Sequence, residues 1–328
     1  MSDASRLLVA AVGPDGTVAP GSAGAMVPWW SFGKTLLATC VLRLVEDGRV
    51  ELDAPPPMPG DFLACREEGP VQAGPRHPWT VRQLLQHTGG VGDYGPLPAY
   101  HAAVAAGGPA WPDANLYRLV CPTDLVFAPG AGWRYSNVGY LLLRRLVESL
   151  LDCDLGDAVA RMVLRPLGLR DCRVAVTPAD LANLSLAAPT GYDPGWVFHG
   201  LVIGPVDQAA LALHRLWHGD LLSPGTRAAM ASATTVGGPL PGRPWMKPGY
   251  GLGVMMGTME EAGADGTDPL EVLGHSAGGP GSSGAVYTAA VGLPATAAVF
   301  TAGTDEAPAE FAALRAIRRL QSTGQLAT

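Results

Sequence analysis

The hydrophobic pattern of this chain changes character twice. Leu7 to Val12 is a short apolar run closed by Gly13-Pro14-Asp15-Gly16, which predicts a strand entering a hairpin. After Ser31 the period becomes helical. Leu37, Cys40, Val41, Leu44 and Val45 recur at 3.6-residue spacing, so a helix of about four turns should end near Asp47-Gly48. Pro55-Pro56-Pro57 then breaks the pattern. From about residue 60 to 185 the predicted elements are mostly helices between Gly/Pro loops: Val81 to Leu85, Val138 to Leu151 and Ala158 to Leu164. The chain then turns strand-rich. Gly249 to Met256, Leu270 to His275, Ala285 to Val291 and Thr296 to Ala302 read as strands. Phe311, Leu314, Ile317 and Leu320 form one face of a closing helix. Strands at both ends with helices between predict a sheet domain closed by the two termini, with a helical domain inserted.

Composition narrows the classes. A chain of 328 residues suits one large domain or two intimate ones. With 48% hydrophobic and 16% charged residues it should be globular, not disordered. The formal net charge of −7 and the lack of a basic run argue against nucleic acid as a partner. No apolar stretch is long enough for a membrane-spanning helix. Met1 to Arg6 lacks the basic start and apolar core of a signal peptide, so the expected location is cytoplasmic. The cysteines are Cys40, Cys65, Cys121, Cys153 and Cys172. Their odd number and the absence of C-x-x-C spacing argue against a disulfide framework or a zinc site, and for reduced, mostly buried thiols.

One cationic position changes the picture. Lys34 and Lys247 are the only lysines, and Lys34 lies inside the apolar run that follows Ser31. Arginine stays protonated in proteins, whereas a desolvated lysine can lose its proton and act as a base. In Ser31-Phe32-Gly33-Lys34 the two polar side chains share a helix face, with Ser31 at the helix N-terminus. A neutral amine beside a hydroxyl is a general base beside a nucleophile. The plain alternative is an N-cap serine and a surface lysine. Two further stretches carry chemistry. Tyr135-Ser136-Asn137 stands in a loop before the strong helix, and Leu273 to Gly281 is a Gly-rich strand end. A tyrosine can relay a proton if a neighbouring cation lowers its pKa. An asparagine can hold both a lysine and a substrate amide. Backbone N–H groups at a Gly-rich strand end can stabilise an oxyanion.

In this order the three elements resemble the serine β-lactamase and penicillin-binding-protein superfamily, in its class C-like branch of β-lactamases, esterases and D-aminopeptidases. Leu84 to Val91, Arg165 to Leu169 and Tyr250 to Gly253 resemble supporting stretches of that branch. The resemblance runs from about residue 28 to 303 and implies an α/β (α+β) fold. An antiparallel sheet flanked by helices would come from residues 1–58 and 186–328, with 59–185 as the inserted helical domain. It also implies roles. Ser31 would be the acylated nucleophile, Lys34 its base, Tyr135 the proton shuttle, and Asn137 the group orienting Lys34 and the substrate. His275, Ser276, Ala277 and Gly278 would line the substrate strand, with the N–H groups of Ser31 and Gly278 as oxyanion hole. No metal or organic cofactor is implied.

Three features depart from the pattern. Ala277 stands where the branch usually has glycine, so its methyl would crowd a substrate along the strand. Gly33 is a poor helix former. The segment before Ser31 is short, so the first strands should be reduced. A rival reading also exists, because Gly274-His275-Ser276-Ala277-Gly278 matches the nucleophile elbow of α/β-hydrolases. That fold needs a histidine after its serine, and none follows Ser276.

Lesser features have plain readings. His214 and His218 make half a metal site at most, without an acidic or cysteine partner at recognisable spacing. His87 should hold a loop, Trp29 and Trp30 should pack, and Lys247 should be solvated. Tyr94, Trp111, Trp196, Phe198 and Trp245 would together suit an apolar acyl group at the rim of a cleft. The expected reaction is acyl transfer through Ser31 from a small ester, amide or D-amino-acid peptide, or β-lactam, with water as the acceptor. Acyl transfer to an amine or alcohol, and a non-catalytic acyl-binding or sensor module, remain as alternatives. The oligomeric state is left open.

Overall fold

The computed structural model describes residues 7–19, 21, 23–58, 78–186, 188–261 and 268–325. The elements β1 (Leu8–Val12) and β2 (Met26–Pro28) lead into α1 (Gly33–Glu46). The helical stretch holds α2 (Val81–Leu85), α3 (Pro98–Ala105), α4 (Asp113–Leu119), α5 (Asn137–Leu151) and α6 (Leu155–Val159), then β3 (Arg173–Ala175). β4 (Leu201–Pro205), α7 (Val206–His218) and α8 (Pro224–Met230) follow. The chain closes with β5 (Thr234–Thr235), β6 (Trp245–Tyr250), β7 (Met255–Met259), β8 (Leu270–Gly279), β9 (Ser282–Ala289), β10 (Thr296–Ala302) and α9 (Ala307–Gln325). Cys65, Met1 to Arg6 and the first part of the expected helical insert, 59–77, lie outside the described residues.

The main sheet has the order β1-β10-β9-β8-β7-β6-β5 with antiparallel neighbours, so the first strand closes against the last, as expected. Both faces are covered. On β10, Ala297 and Val299 join Leu314 and Ile317 of α9 in one apolar cluster. The alternate residues Ala298 and Phe300 join α1, α5 and α7 on the opposite face. Side chains alternate along a strand, so a strand buried on both sides reads as a continuous apolar run, as 296–302 does.

Two local expectations change. The strand expected over 249–256 is the end of β6, a tight turn and the start of β7. Gly253, at φ +81°, lets that turn pass within contact of α1; a Cβ there would lie 2.3 Å from the Ala38 methyl. The helix expected over 158–164 is α6 followed by a wide, π-type turn through Ala160–Leu164. A second small sheet, β2-β4-β3, went unforeseen. Its strands β2 and β3 have only three residues each, too few to show alternation.

Among the described residues no helix is long and apolar enough to cross a membrane, and no group of three or more His, Cys, Asp or Glu could hold a metal. His214 and His218 stack at 4.8 Å and bond instead to Thr296 (3.0 Å) and Thr288 (2.9 Å), whose hydroxyls bond each other at 2.8 Å. Cys40 and Cys172 are buried free thiols, while Cys121 and Cys153 are free and half-buried.

Candidate active site

Ser31 stands in a single 3-10 turn, Trp30–Phe32, just ahead of α1, and not at the helix cap expected from sequence. The turn is clamped from both sheets. The Trp29 N–H donates to the Val202 carbonyl (2.8 Å) and its indole N–H to the Gly204 carbonyl (3.2 Å). The Trp30 indole N–H donates to Ser282 Oγ of the main sheet (2.9 Å). Trp30 itself has φ +38°, a conformation non-glycine residues seldom adopt. Such backbone outliers persist only where the surroundings hold them, and they gather at functional sites. Gly33 then has a structural reason. A Cβ at this first helical position would lie 3.3 Å from the Gly200 carbonyl oxygen.

Lys34 is fully buried. Its amine lies 3.4 Å from Ser31 Oγ and 3.2 Å from the ring nitrogens of His199. The rings of Tyr135 and Tyr140 stand 4.9 and 5.6 Å from it. Burial pushes its pKa well below the usual lysine value, with Asp93 opposing. Burial thus favours the neutral amine, the form that can accept a proton.

Tyr135-Ser136-Asn137 divides its labour. Ser136 caps α5, accepting from the Gly139 N–H at 3.0 Å. Asn137 bonds Asp93 through its backbone N–H (2.8 Å) and its side-chain amide (3.2 Å). The Tyr135 hydroxyl is buried with no hydrogen-bond partner. Burial drives its pKa well above the ordinary value. Ser31 opposes the rise without reaching hydrogen-bond geometry. The cation-lowered tyrosine imagined from sequence is thus a neutral phenol, able to give a proton before it takes one.

His275 on β8 is buried. Its Nδ1–H donates to the Ser276 carbonyl, and its Nε2 accepts from the Tyr250 hydroxyl at 2.9 Å. Burial lowers its pKa to about 3, so it is neutral. His87, at φ +61°, accepts from the Ser136 N–H at 3.1 Å and holds that loop.

Ser31, Tyr135, Asn137, His275, Ser276 and Gly278 meet around a cavity of about 410 Å³, with Lys34 just beneath it. Ala277 does not line it. That side chain points into the core with α1, so its methyl leaves the cavity free. Ser276 bonds Tyr287 (2.6 Å), Arg243 (3.2 Å) and Glu310. β8 runs on through Gly279 into β9 with no strand-to-helix turn, which excludes the elbow reading.

With this geometry in hand, comparison with known proteins is decisive. The sequence pattern of the family described as Beta-lactamase matches residues 5–322. The chain belongs to this family. It is 35% identical over 149 residues to esterase EstB of Burkholderia gladioli, covering 43% of this chain and 36% of the esterase, so the match spans about a third of that relative. It is 29% identical over 108 residues to penicillin-binding protein 4* of Bacillus subtilis, covering 29% of this chain and 21% of that protein. A D-stereospecific amidohydrolase from Streptomyces sp. superposes with a TM-score of 0.72 at 25% identity, over 90% of both chains. The octameric penicillin-binding protein homologue from Pyrococcus abyssi superposes with a TM-score of 0.72 at 19% identity, over 96% of this chain and 73% of that one. The antiparallel, helix-flanked fold expected from sequence is that of these neighbours.

Sequence reasoning missed His199, Asp93, Arg243 and Glu306, all close to Ser31 and Lys34 or in the cavity wall. None stands in a motif. Each arrives from a loop, or in Glu306 from the residue before α9. Of the aromatic residues expected at the rim, Tyr94 and Trp196 line the cavity, joined by Trp30, Tyr100 and Tyr192. Trp111 and Phe198 pack behind them, at 5.2 Å from Trp196 and 5.0 Å from Tyr94. Trp245 belongs to the core under α9, donating to Glu310 at 2.9 Å.

Proposed function

We propose that this chain is a serine hydrolase that forms an acyl-enzyme on Ser31. The observation that carries the reading is a fully buried lysine amine 3.4 Å from a serine hydroxyl that lines a cavity. Lys34, neutral by burial, takes the proton as Ser31 Oγ bonds the substrate carbonyl carbon. Tyr135, a neutral phenol, gives its proton to the leaving oxygen or nitrogen. The charge in between is proton-neutral for the site, since Lys34 returns the proton to Tyr135. Water then adds to the acyl carbon by the reverse sequence and frees Ser31. Asn137, fixed by Asp93, holds the substrate carbonyl or amide side.

The N–H groups of Ser31 and Gly278 are proposed as the oxyanion hole. Strand geometry supports this. β7 pairs with β8 only as far as Gly274, so the edge beyond it is open. The Ser276 carbonyl is taken by the neighbouring His275 ring, and the Gly278 N–H two residues on faces the same edge. The cavity is further proposed to lie between the sheet part, 1–58 and 186–328, and the helical part, 59–185.

The substrate is proposed to be a small ester or amide with an aromatic or apolar group against Trp30, Tyr94, Tyr192 and Trp196. The named esterase and amidohydrolase relatives fit that class. The charged corner disfavours an anionic substrate, including a carboxylate-bearing β-lactam. Glu306 and Glu310 share the single Arg243 guanidinium there, and Glu306 sits beside Gly278.

The test is reaction with a fluorophosphonate, peptide mapping of the adduct, and turnover of aryl esters, D-amino-acid amides and β-lactams. A single adduct on Ser31, with Ser31→Ala folded and inactive, is expected. Normal turnover by Ser31→Ala overturns the reading. One burst without turnover would instead support an acyl-binding module. Products joined to an added amine or alcohol would support acyl transfer to that acceptor.

A further inference from the structure

The resemblance assigns Lys34 to Asn137 for orientation, but the structure gives it another neighbour. Asn137 is committed to Asp93 through both its backbone and side-chain N–H groups. No hydrogen bond joins it to Lys34 among the described residues. The hydrogen-bonding neighbours of the Lys34 amine are Ser31 Oγ at 3.4 Å and the ring nitrogens of His199 at 3.2 Å.

His199 reaches this place from the loop just before β4. The same stretch carries Gly200, at φ +93°, where a Cβ would lie 2.2 Å from Leu155. The chain therefore passes close against α6 there, which turns the preceding residue toward α1. The ring is buried, lines the cavity, and has the Trp30 carbonyl as a further polar neighbour favouring its N–H. The amine stands 3.2 Å from both ring nitrogens, so whichever one lacks a proton in the neutral ring lies within hydrogen-bonding distance of Lys34.

We propose that His199 is the positioning residue for Lys34: its imidazole accepts a hydrogen bond from the amine and aims the amine lone pair at Ser31 Oγ. This rests on the acyl-enzyme reading above. In the first step the Ser31 O–H bond breaks, Oγ bonds the carbonyl carbon, and the proton joins the Lys34 lone pair. His199 then accepts from the resulting ammonium and stabilises it. No proton need pass to the ring, and burial with the nearby Lys34 keeps the ring neutral. The other charged or titratable groups around the pair are Asp93 near Lys34, His87 and His275 beside it, Arg144 near His199, and the Tyr135 and Tyr140 rings.

The experiment compares His199→Ala and His199→Gln with the parent enzyme. It uses an aryl ester found to be turned over, with kcat, KM and the pH profile of kcat/KM measured. Losing a hydrogen bond to a charged group should lower kcat of His199→Ala by about 10- to 100-fold, with KM little changed. Its acid limb should move to lower pH, because an ammonium without its acceptor gives up its proton more readily. His199→Gln keeps an acceptor oxygen and should recover most of kcat and the limb. Equal loss in both variants with an unmoved limb would reduce His199 to packing and overturn the proposal. Full kcat in both would overturn it as well. If His199→Ala fails to fold, His199→Gln decides alone, through its limb and its rate of fluorophosphonate labelling against the parent. Failure of the underlying reading would appear separately, as turnover in Ser31→Ala.

Discussion

Replacing Lys34 with methionine should sharply lower turnover and stabilise the protein. The side chain is fully buried, and methionine matches its length. An unfolded lysine holds its proton up to pH about 10.4. If the folded amine is neutral, folding at pH 7 must remove that proton. The penalty has a ceiling of about 4–5 kcal/mol, from 1.36 kcal/mol per unit over roughly 3.4 units. Methionine avoids it but forfeits the bonds to Ser31 and His199, about 1 kcal/mol each. The expected net gain is about 2–3 kcal/mol at pH 7. The sign follows from linkage. The folded pKa is depressed, so the unfolded chain binds the extra proton, and the penalty on the parent shrinks as pH rises toward 10.4. The gain should therefore fade near pH 9 and be reversed by about pH 9.5. Urea unfolding of both proteins at pH 7, 8 and 9.5 measures this, and removal of the base should lower turnover by about 10²–10⁴-fold. A variant less stable than the parent by a pH-independent amount would refute the reasoning. It would mean that Lys34 is charged in the folded protein and balanced by Asp93, and that methionine leaves that carboxylate buried without its counter-charge.

Two further outcomes follow from packing and titration. Gly279→Ala would place a Cβ 2.4 Å from the Trp30 indole, costing about 1–3 kcal/mol and displacing the residue before Ser31. Turnover should fall well beyond that of Gly278→Ala, whose Cβ meets only the flexible end of Glu306 at 3.0 Å, and thermal unfolding with kinetics compares the two. Burial holds His87, His199, His214, His218 and His275 neutral, with His218 lowered to about 4 and His275 to about 3. The unfolded chain binds these protons first as pH falls, so the stability they carry is present above about pH 6.5 and is lost toward pH 4 and below. The urea midpoint should drop steeply across that window, and His218→Gln should flatten the slope by less than about 1 kcal/mol per pH unit, since the ring is half-exposed. A midpoint constant between pH 6.5 and 5 would contradict this.

Much of the architecture was legible in the chain. The strand over 296–302, the first part of β8 over 270–275, and the helices α1 and α5 carry apolar runs or periods strong enough to place them. Ser31, Lys34, Tyr135 and Asn137 were legible because their spacing and setting form motifs, and the structure brings all four to one cavity or its floor. Local spacing also misled. Gly249 to Met256 looks like one strand, but its glycines serve a turn that packs on α1, a tertiary contact. Ala277 looks obstructive in a linear motif, yet its methyl is buried in the core cluster that includes α1 and leaves the cavity free.

What the sequence determined by itself is the identity of the candidate groups and most of the elements that carry them, because short-range periodicity and turn chemistry depend on neighbours in the chain. What only the tertiary structure decided is their chemical state. The Lys34 pKa is depressed because the folded chain buries the amine, Tyr135 is a neutral phenol because its hydroxyl is enclosed, and His199 meets Lys34 across 165 positions. Desolvation and long-range contact set these properties, and neither has a local signature in the chain.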